Sequence, residues 1–249
     1  MAEQSGDLRG TSFVDADLAG ARFVRSFLPG VVMRGVVVDG ADIDAPWLLE
    51  PGGSLLVNGV DVVPFVDAEL DRRFPGRELR RADDPEGLRD AWAAVERTWA
   101  ATLARVDSMP AGTPDVQVDG EWSFAQTLRH LVMATDAWLR GSVLGVERPF
   151  HPLGQPNAEY ALDGNDMAVF ATRAPSYAEV LEVRAAHVAM VRDFLAGVTP
   201  DVLAVPRPNP WSAEAPETTL SCLHTILEEE WEHHRYAVRD LDAIDAAAG

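Results

Sequence analysis

The sequence predicts a mainly α protein, a four-helix bundle in its C-terminal two-thirds with a short repeat segment of another kind ahead of it. Three observations carry this. Four stretches between residues 83 and 245, each of 20 or more residues, place apolar side chains at helical spacing. A Pro- and Gly-rich stretch of about 30 residues, 146–175, separates the second from the third. The first fifty residues follow a five-residue period, which neither the helical 3.6 nor the strand 2.0 divides.

The repeat runs through Leu8, Phe13, Leu18, Phe23, Leu28, Met33, Val38, Ile43 and Leu48, with small or polar residues between, as in "ADLAGARF" and "DGADID". It resembles the pentapeptide-repeat family, whose pattern is A(D/N)LXX. The resemblance implies a short right-handed β-helix over residues 1–51, with the apolar centres stacked inside. Some members are acidic rods that mimic DNA. Here residues 1–50 hold eight acidic side chains and four arginines, 8 − 4 = 4 net negative charges. At roughly 20 residues per coil the segment makes about two coils, too short for such a rod. The reading kept is a packing or docking module, and the exposed end of such a β-helix invites a homodimer. Residues 52–82 form a connector, with a hairpin through Asn58-Gly59 and a short helix starting near Pro64. Its arginine-rich exit, "RRFPGRELRR", reads as a basic surface.

The bundle, residues 83–249, opens on "DDPEGLRDAW", an Asp cap with proline in the first turn. Leu88, Trp92, Val95, Trp99, Leu103 and Val106 then share one stripe. The second helix opens after Ser123. The third is capped by Ser176, with Glu179 completing a capping box and Gly197 near its end. The fourth runs from about Thr218 to Ala243. The long 146–175 connection allows a crossover that leaves the second and third helices parallel, and reads as a lid or rim, not a helix.

Composition excludes several functions. The net charge of −19 opposes binding to a phosphate backbone, so nucleic acid is not expected. All 21 basic residues are arginine, which removes Schiff-base and P-loop lysines. The single cysteine, Cys222, allows no intrachain disulfide and no multi-cysteine zinc motif. Neither GxGxxG nor GxSxG occurs. No apolar run approaches the roughly 20 residues a membrane span requires, and signal-peptide features are lacking, so a cytoplasmic protein is expected.

Residues 228–240, "EEEWEHHRYAVRD", contain two i, i+4 pairs of carboxylate and imidazole, Glu229 with His233 and Glu230 with His234. At about 100° per residue from Ile226, the apolar stripe of the fourth helix centres at about 60°. Glu230 (about 40°) and His234 (about 80°) fall inside it, whereas Glu229 and His233 fall at its edge and the rest face outward. A buried carboxylate needs a partner. His130 on the second helix, in a strip with Gln126, Thr127, Ala134 and Ala137, offers a third ligand.

"WSFAQTLRHL" at 122–131 followed by "EEEWEHHRYAVRDL" at 228–241 resembles the DinB/YfiT superfamily, in its DinB-like metalloenzyme branch. The resemblance covers about residues 83–245. It implies a histidine on the second helix and an HxxxH or ExxxH pair on the fourth, the last histidine usually followed by Arg; this selects Glu230 and His234. The ExxxH form resembles mycothiol-dependent maleylpyruvate isomerases, and the arginine-only, Ala-rich composition fits an actinobacterial source. The expected metal set is therefore His130, Glu230 and His234. The resemblance implies zinc or nickel, zinc being the leading expectation, and the same donors also serve iron. The expected activity is use or transfer of a low-molecular-weight thiol, of mycothiol or bacillithiol type, on a small electrophile. Arg184 and His233 are candidates for substrate or thiol binding, Arg184 at even odds with pairing to an acid across the bundle. The alternative is a non-catalytic binding or stress-response module whose repeat segment docks a protein partner.

Overall fold

The computed structural model describes residues 6–49, 52–157, 160–212 and 214–248. It divides into two compact units, Met1–Asp44 and Ala45–Gly249. The sequence boundary expected at residue 51 lies outside the described residues, as do positions 158–159 of the long loop.

In the first unit the five-residue period is written into the backbone. Gly10, Asp15, Gly20, Arg25, Gly30, Gly35 and Gly40 all take positive φ, between 47° and 75°. Short turns close at ten-residue intervals, from Thr11 N to Leu8 O, Ala21 N to Leu18 O, Val31 N to Leu28 O and Ala41 N to Val38 O. The expected β-helix is not seen. No strand occurs among the described residues of this unit. The apolar centres are exposed, not stacked inside: Leu8, Phe13, Leu18, Phe23, Leu28, Met33, Val38 and Ile43 all face solvent. Two coils leave each centre without a neighbour on one side, so the side chains have no interior to fill.

The second unit begins with the expected hairpin. Strands β1 (Leu56–Val57) and β2 (Val60–Asp61) pair antiparallel, Val57 opposite Val60, around Asn58 (φ 51°) and Gly59 (φ 82°). Two positive φ angles are what a type I′ turn demands. Helix α1 (Val63–Arg73) follows, with proline in its first turn. The arginine-rich exit is only in part the expected basic surface: Arg72, Arg73 and Arg81 are exposed and pair with Glu69 and Asp67. Arg77 and Arg80 are buried, and both hold Asp67 and Asp71 of α1. The alternation of α1 carboxylates at i, i+4 with arginines one turn beyond folds the charges inward in pairs. Gly76 (φ 100°) lets this turn close on α2, since a Cβ there would lie 2.7 Å from that of Ala94.

Four long helices make the body: α2 (Pro85–Ser108), α3 (Phe124–Thr135), α4 (Tyr177–Gly197), then, after the short α5 (Pro200–Leu203), α6 (Thr219–Ala248). The caps are those the sequence announced. Asp84 accepts from the Glu86 and Gly87 amides, and Ser123 and Ser176 form capping boxes with Gln126 and Glu179. A second hairpin, β3 (Pro206–Arg207) with β4 (Glu217–Thr218), leads into α6.

Side-chain contacts give the helix directions. From α2 to α6 they advance together: Ala82 meets His224, Thr102 meets His234, Arg105 meets Asp245. From α2 to α4 they reverse: Arg89 reaches the Leu195 carbonyl and Trp92 that of Val188. From α3 to α4 they advance: Phe124 meets Tyr177 and Asp136 meets His187. So α2 and α6 run one way and α3 and α4 the other, the parallel pair that the long crossover requires. Leu88, Trp92, Leu128, Leu131, Val180, Leu223, Ile226 and Leu241 form the core between them.

Helix α3 does not end at Thr135. It continues as a π-helix over Asp136–Val143, with Leu144 N bonded to Leu139 O at 2.8 Å. The wider turn holds Asp136, fully buried, where it accepts from Arg140, from His187 Nε2 at 2.8 Å and from the His151 amide at 2.6 Å. The 146–175 loop is irregular apart from a 3-10 turn at Met167–Val169. It folds back on α3 through Phe150, Tyr160 and Phe170, which pack with Met133.

Candidate metal centre

The site forms where α3 and α6 face each other antiparallel. Among the described residues, one set of three potential ligands brings its donor atoms within 4.8 Å of one another: His130, Glu229 and His233. All three are mostly buried yet retain some exposure. Glu229 Oε2 lies 3.4 Å from His130 Nε2 and 3.3 Å from His233 Nδ1. That oxygen is buried and has no well-aligned hydrogen bond.

The proton positions explain why. His130 Nδ1 donates to the backbone carbonyl of Gln155 at 2.9 Å. His233 Nδ1 donates to the Glu229 carbonyl, one helical turn back, also at 2.9 Å. In each ring Nδ1 is thereby engaged as a donor, which leaves Nε2 as the nitrogen available to a ligand. Burial drives the His233 pKa down to about 4, helped by the neighbouring His130 ring, and the Glu229 carboxylate opposes it only in part. Burial also raises the Glu229 carboxyl, but the two histidines outweigh it and hold it below its usual value. His130 Nε2 and the Glu229 carboxylate thus converge beside the His233 ring, whose Nδ1–H is directed to the Glu229 backbone carbonyl; two imidazoles and a carboxylate are donor types that a divalent cation site uses.

Aromatic rings close the outer side. Trp122 sits 4.6 Å from the His130 ring and stacks on His233 at 6.0 Å, and the two imidazoles stack on each other at 4.7 Å. Near the start of α3 a polar cleft of about 250 Å³ is lined by Ser123, Gln126 and Arg129 with Asp115, Gln117 and Pro175.

The structure does not bring Glu230 and His234 to His130. They are buried, as their place on the apolar stripe implied, but their polar contacts go elsewhere, and His234 Nδ1 has no hydrogen-bond partner. Both Glu230 oxygens accept from Arg184 Nη2, at 2.5 Å, in a buried ion pair with α4. His234 Nε2 meets Thr102 Oγ1 of α2 at 2.8 Å and is ringed edge-on by Phe74, Trp99 and Trp231. Thr102 spends its own proton on the Thr98 carbonyl, so His234 is the donor. Burial pushes its pKa down to about 4. The physical reason for the correction is geometric. The middle of the stripe points at α2 and α4, whereas the edge residues Glu229 and His233 point at α3.

The same geometry corrects two further residues. Arg184 pairs with Glu230 across the bundle, the second of its two expected roles, and His233, expected as a substrate contact, falls in the cluster of potential ligands. Cys222 is fully buried, with its thiol pushed up to about 11 by that burial, so it is no nucleophile. Two parts of the site were missed in the sequence. Trp122 stood in the quoted motif and, with Ser123 as cap, lies two residues ahead of the helix; the Gln155 carbonyl carries no side-chain signal at all.

The family model of the DinB superfamily matches residues 94–237, more than half of the chain. The chain belongs to the DinB superfamily. No curated protein and no solved structure matches it. The matched span includes α3, the long loop, α4 and the ligand-bearing turns of α6. No described helix of this DinB-superfamily chain is long and apolar enough to cross a membrane.

Proposed function

We propose that this chain is a metal-dependent DinB-like enzyme that uses a low-molecular-weight thiol, of mycothiol or bacillithiol type, on a small electrophilic substrate. The observation that supports it most is the convergence of one donor atom each from His130, Glu229 and His233 within 4.8 Å, with Glu229 Oε2 buried and without a hydrogen-bond partner. These three residues fit zinc best, and nickel or iron(II) accept the same donors. A metal with three protein ligands keeps an open position, where it lowers the pKa of a thiol or water. The chain's part is to orient both imidazoles through their Nδ1 hydrogen bonds, to supply one negative charge through Glu229, and to shield the ring faces with Trp122. A metal held there would supply a thiolate: the S–H proton goes to solvent, sulfur forms the C–S bond, and the electron pair of the electrophile's broken bond leaves with the displaced group or takes up a proton from solvent.

The test is elemental analysis of the purified protein and of its Glu229→Gln and His233→Ala variants, followed by thiol consumption with a panel of electrophiles. Metal in the wild type near one equivalent, lost in both variants, supports the site. Metal without thiol turnover favours a second reading, a non-catalytic module docking a partner through residues 6–44. One observation favours that reading: Phe27 and Val37 of this unit are 94% and 88% exposed.

A further inference from the structure

The long loop holds the inner coordination sphere from outside, and Arg129 is the residue that fastens it. His130 Nδ1 donates to the Gln155 carbonyl at 2.9 Å, which fixes the tautomer and points Nε2 at Glu229. Gln155 belongs to an irregular run, 153–155, outside any helix or strand. Its position comes from the residue next to His130. Arg129 Nε donates to Leu153 O at 2.8 Å and Nη2 to Gly154 O at 3.4 Å, while the Gln155 amide donates back to Arg129 O at 3.1 Å. Arg129 has no ion pair of its own among the described residues, unlike the buried Arg77, Arg80 and Arg184. Burial lowers its pKa, with no carboxylate to offset the cost. A guanidinium placed so is committed to the two carbonyls it holds.

We propose that Arg129 and residues 153–155 form a strap that positions His130 for the metal, so that metal binding and strap docking reinforce each other. This rests on the metal reading above. The reciprocity follows from linkage: a strap that favours the ligand-competent His130 is itself favoured by the metal. Outer hydrogen bonds to a ligating histidine are worth about 10- to 100-fold in metal affinity. The far side of the strap offers an independent handle. A Cβ on Gly154 would lie 3.0 Å from the Phe170 ring, 3.2 Å from His151 O and 3.4 Å from Met133 Cβ on α3, so Gly154→Ala displaces the strap while leaving Arg129 and His130 unsubstituted.

The experiment measures the zinc dissociation constant by competition with a chromophoric chelator, for the full chain and for Arg129→Met, Arg129→Lys and Gly154→Ala. Hydrogen exchange of residues 150–157 is followed with and without zinc. We expect Arg129→Met and Gly154→Ala to weaken zinc binding about tenfold or more, with Arg129→Lys partly restored by its remaining donor. We also expect zinc to slow exchange at Gln155 in the wild type and to do so less in Arg129→Met. Circular dichroism confirms that each variant is helical. Equal zinc affinity in all four proteins, or zinc-independent exchange at Gln155, overturns the strap while leaving the site intact. Absence of zinc binding in the wild type overturns the site itself.

Discussion

Four residues within two turns of α6 have three different fates, and their neighbours decide each. Glu229 and His233 meet α3, Glu230 meets Arg184, and His234 meets Thr102. Removing Glu230 strands a buried arginine whose Nη1 already lacks a partner. Glu230→Ala is expected to lose about 3–5 kcal/mol in urea denaturation while keeping its metal. His233 and His234 set a pH dependence. Both pKa values fall from 6.5 to about 4 on folding, so between those limits the unfolded chain binds protons that the folded chain refuses. Stability of the metal-free protein is therefore expected to be level above pH 6.5 and to fall as pH drops toward 4. A urea titration at several pH values measures it, and a flat profile would contradict these histidine environments. At this scale the sequence told burial but not partnership. The helical wheel placed Glu230 and His234 inside correctly, yet an inward carboxylate is equally well served by an arginine. The open, ligand-rich position lies at the stripe's edge, where some solvent access remains.

The helices themselves were legible because each carries its own punctuation. Asp84, Ser123 and Ser176 cap their helices with the bonds their spacing implied, and the 30-residue crossover leaves α3 and α4 parallel. The π-helical end of α3 was not legible, since one residue of extra winding leaves almost no mark on apolar periodicity. Its consequence is the buried Asp136, on which Arg140, His187 and the His151 amide converge. His187 Nδ1 faces the Val183 carbonyl at 2.8 Å, so both ring nitrogens meet oxygen atoms. Asp136→Ala removes the buried acceptor that Arg140, His187 and the His151 amide share. It is expected to cost on the order of 3 kcal/mol and to speed proteolysis within 146–175, because it frees the loop's anchor at His151. The N-terminal repeat shows the opposite failure. Its period is real in the backbone, but two coils give the apolar centres nothing to stack against.

For the whole molecule the account joins a bundle core that is complete without metal to a site on the α3–α6 seam. Metal binding thus adds to stability by mass action and does not create the fold. Zinc at about one hundred times its dissociation constant is expected to add about 2.7 kcal/mol, seen as a higher thermal midpoint in calorimetry. Far-ultraviolet circular dichroism is expected to be the same with and without the ion, and a large helical gain on adding zinc would contradict a preformed bundle. The most direct test of the central claim is zinc stoichiometry in four proteins: the wild type, Glu229→Gln, Glu230→Gln and His233→Ala. The account predicts about one zinc per chain in the wild type and in Glu230→Gln, and little or none in the other two. Zinc retained in Glu229→Gln and His233→Ala but lost in Glu230→Gln would contradict it.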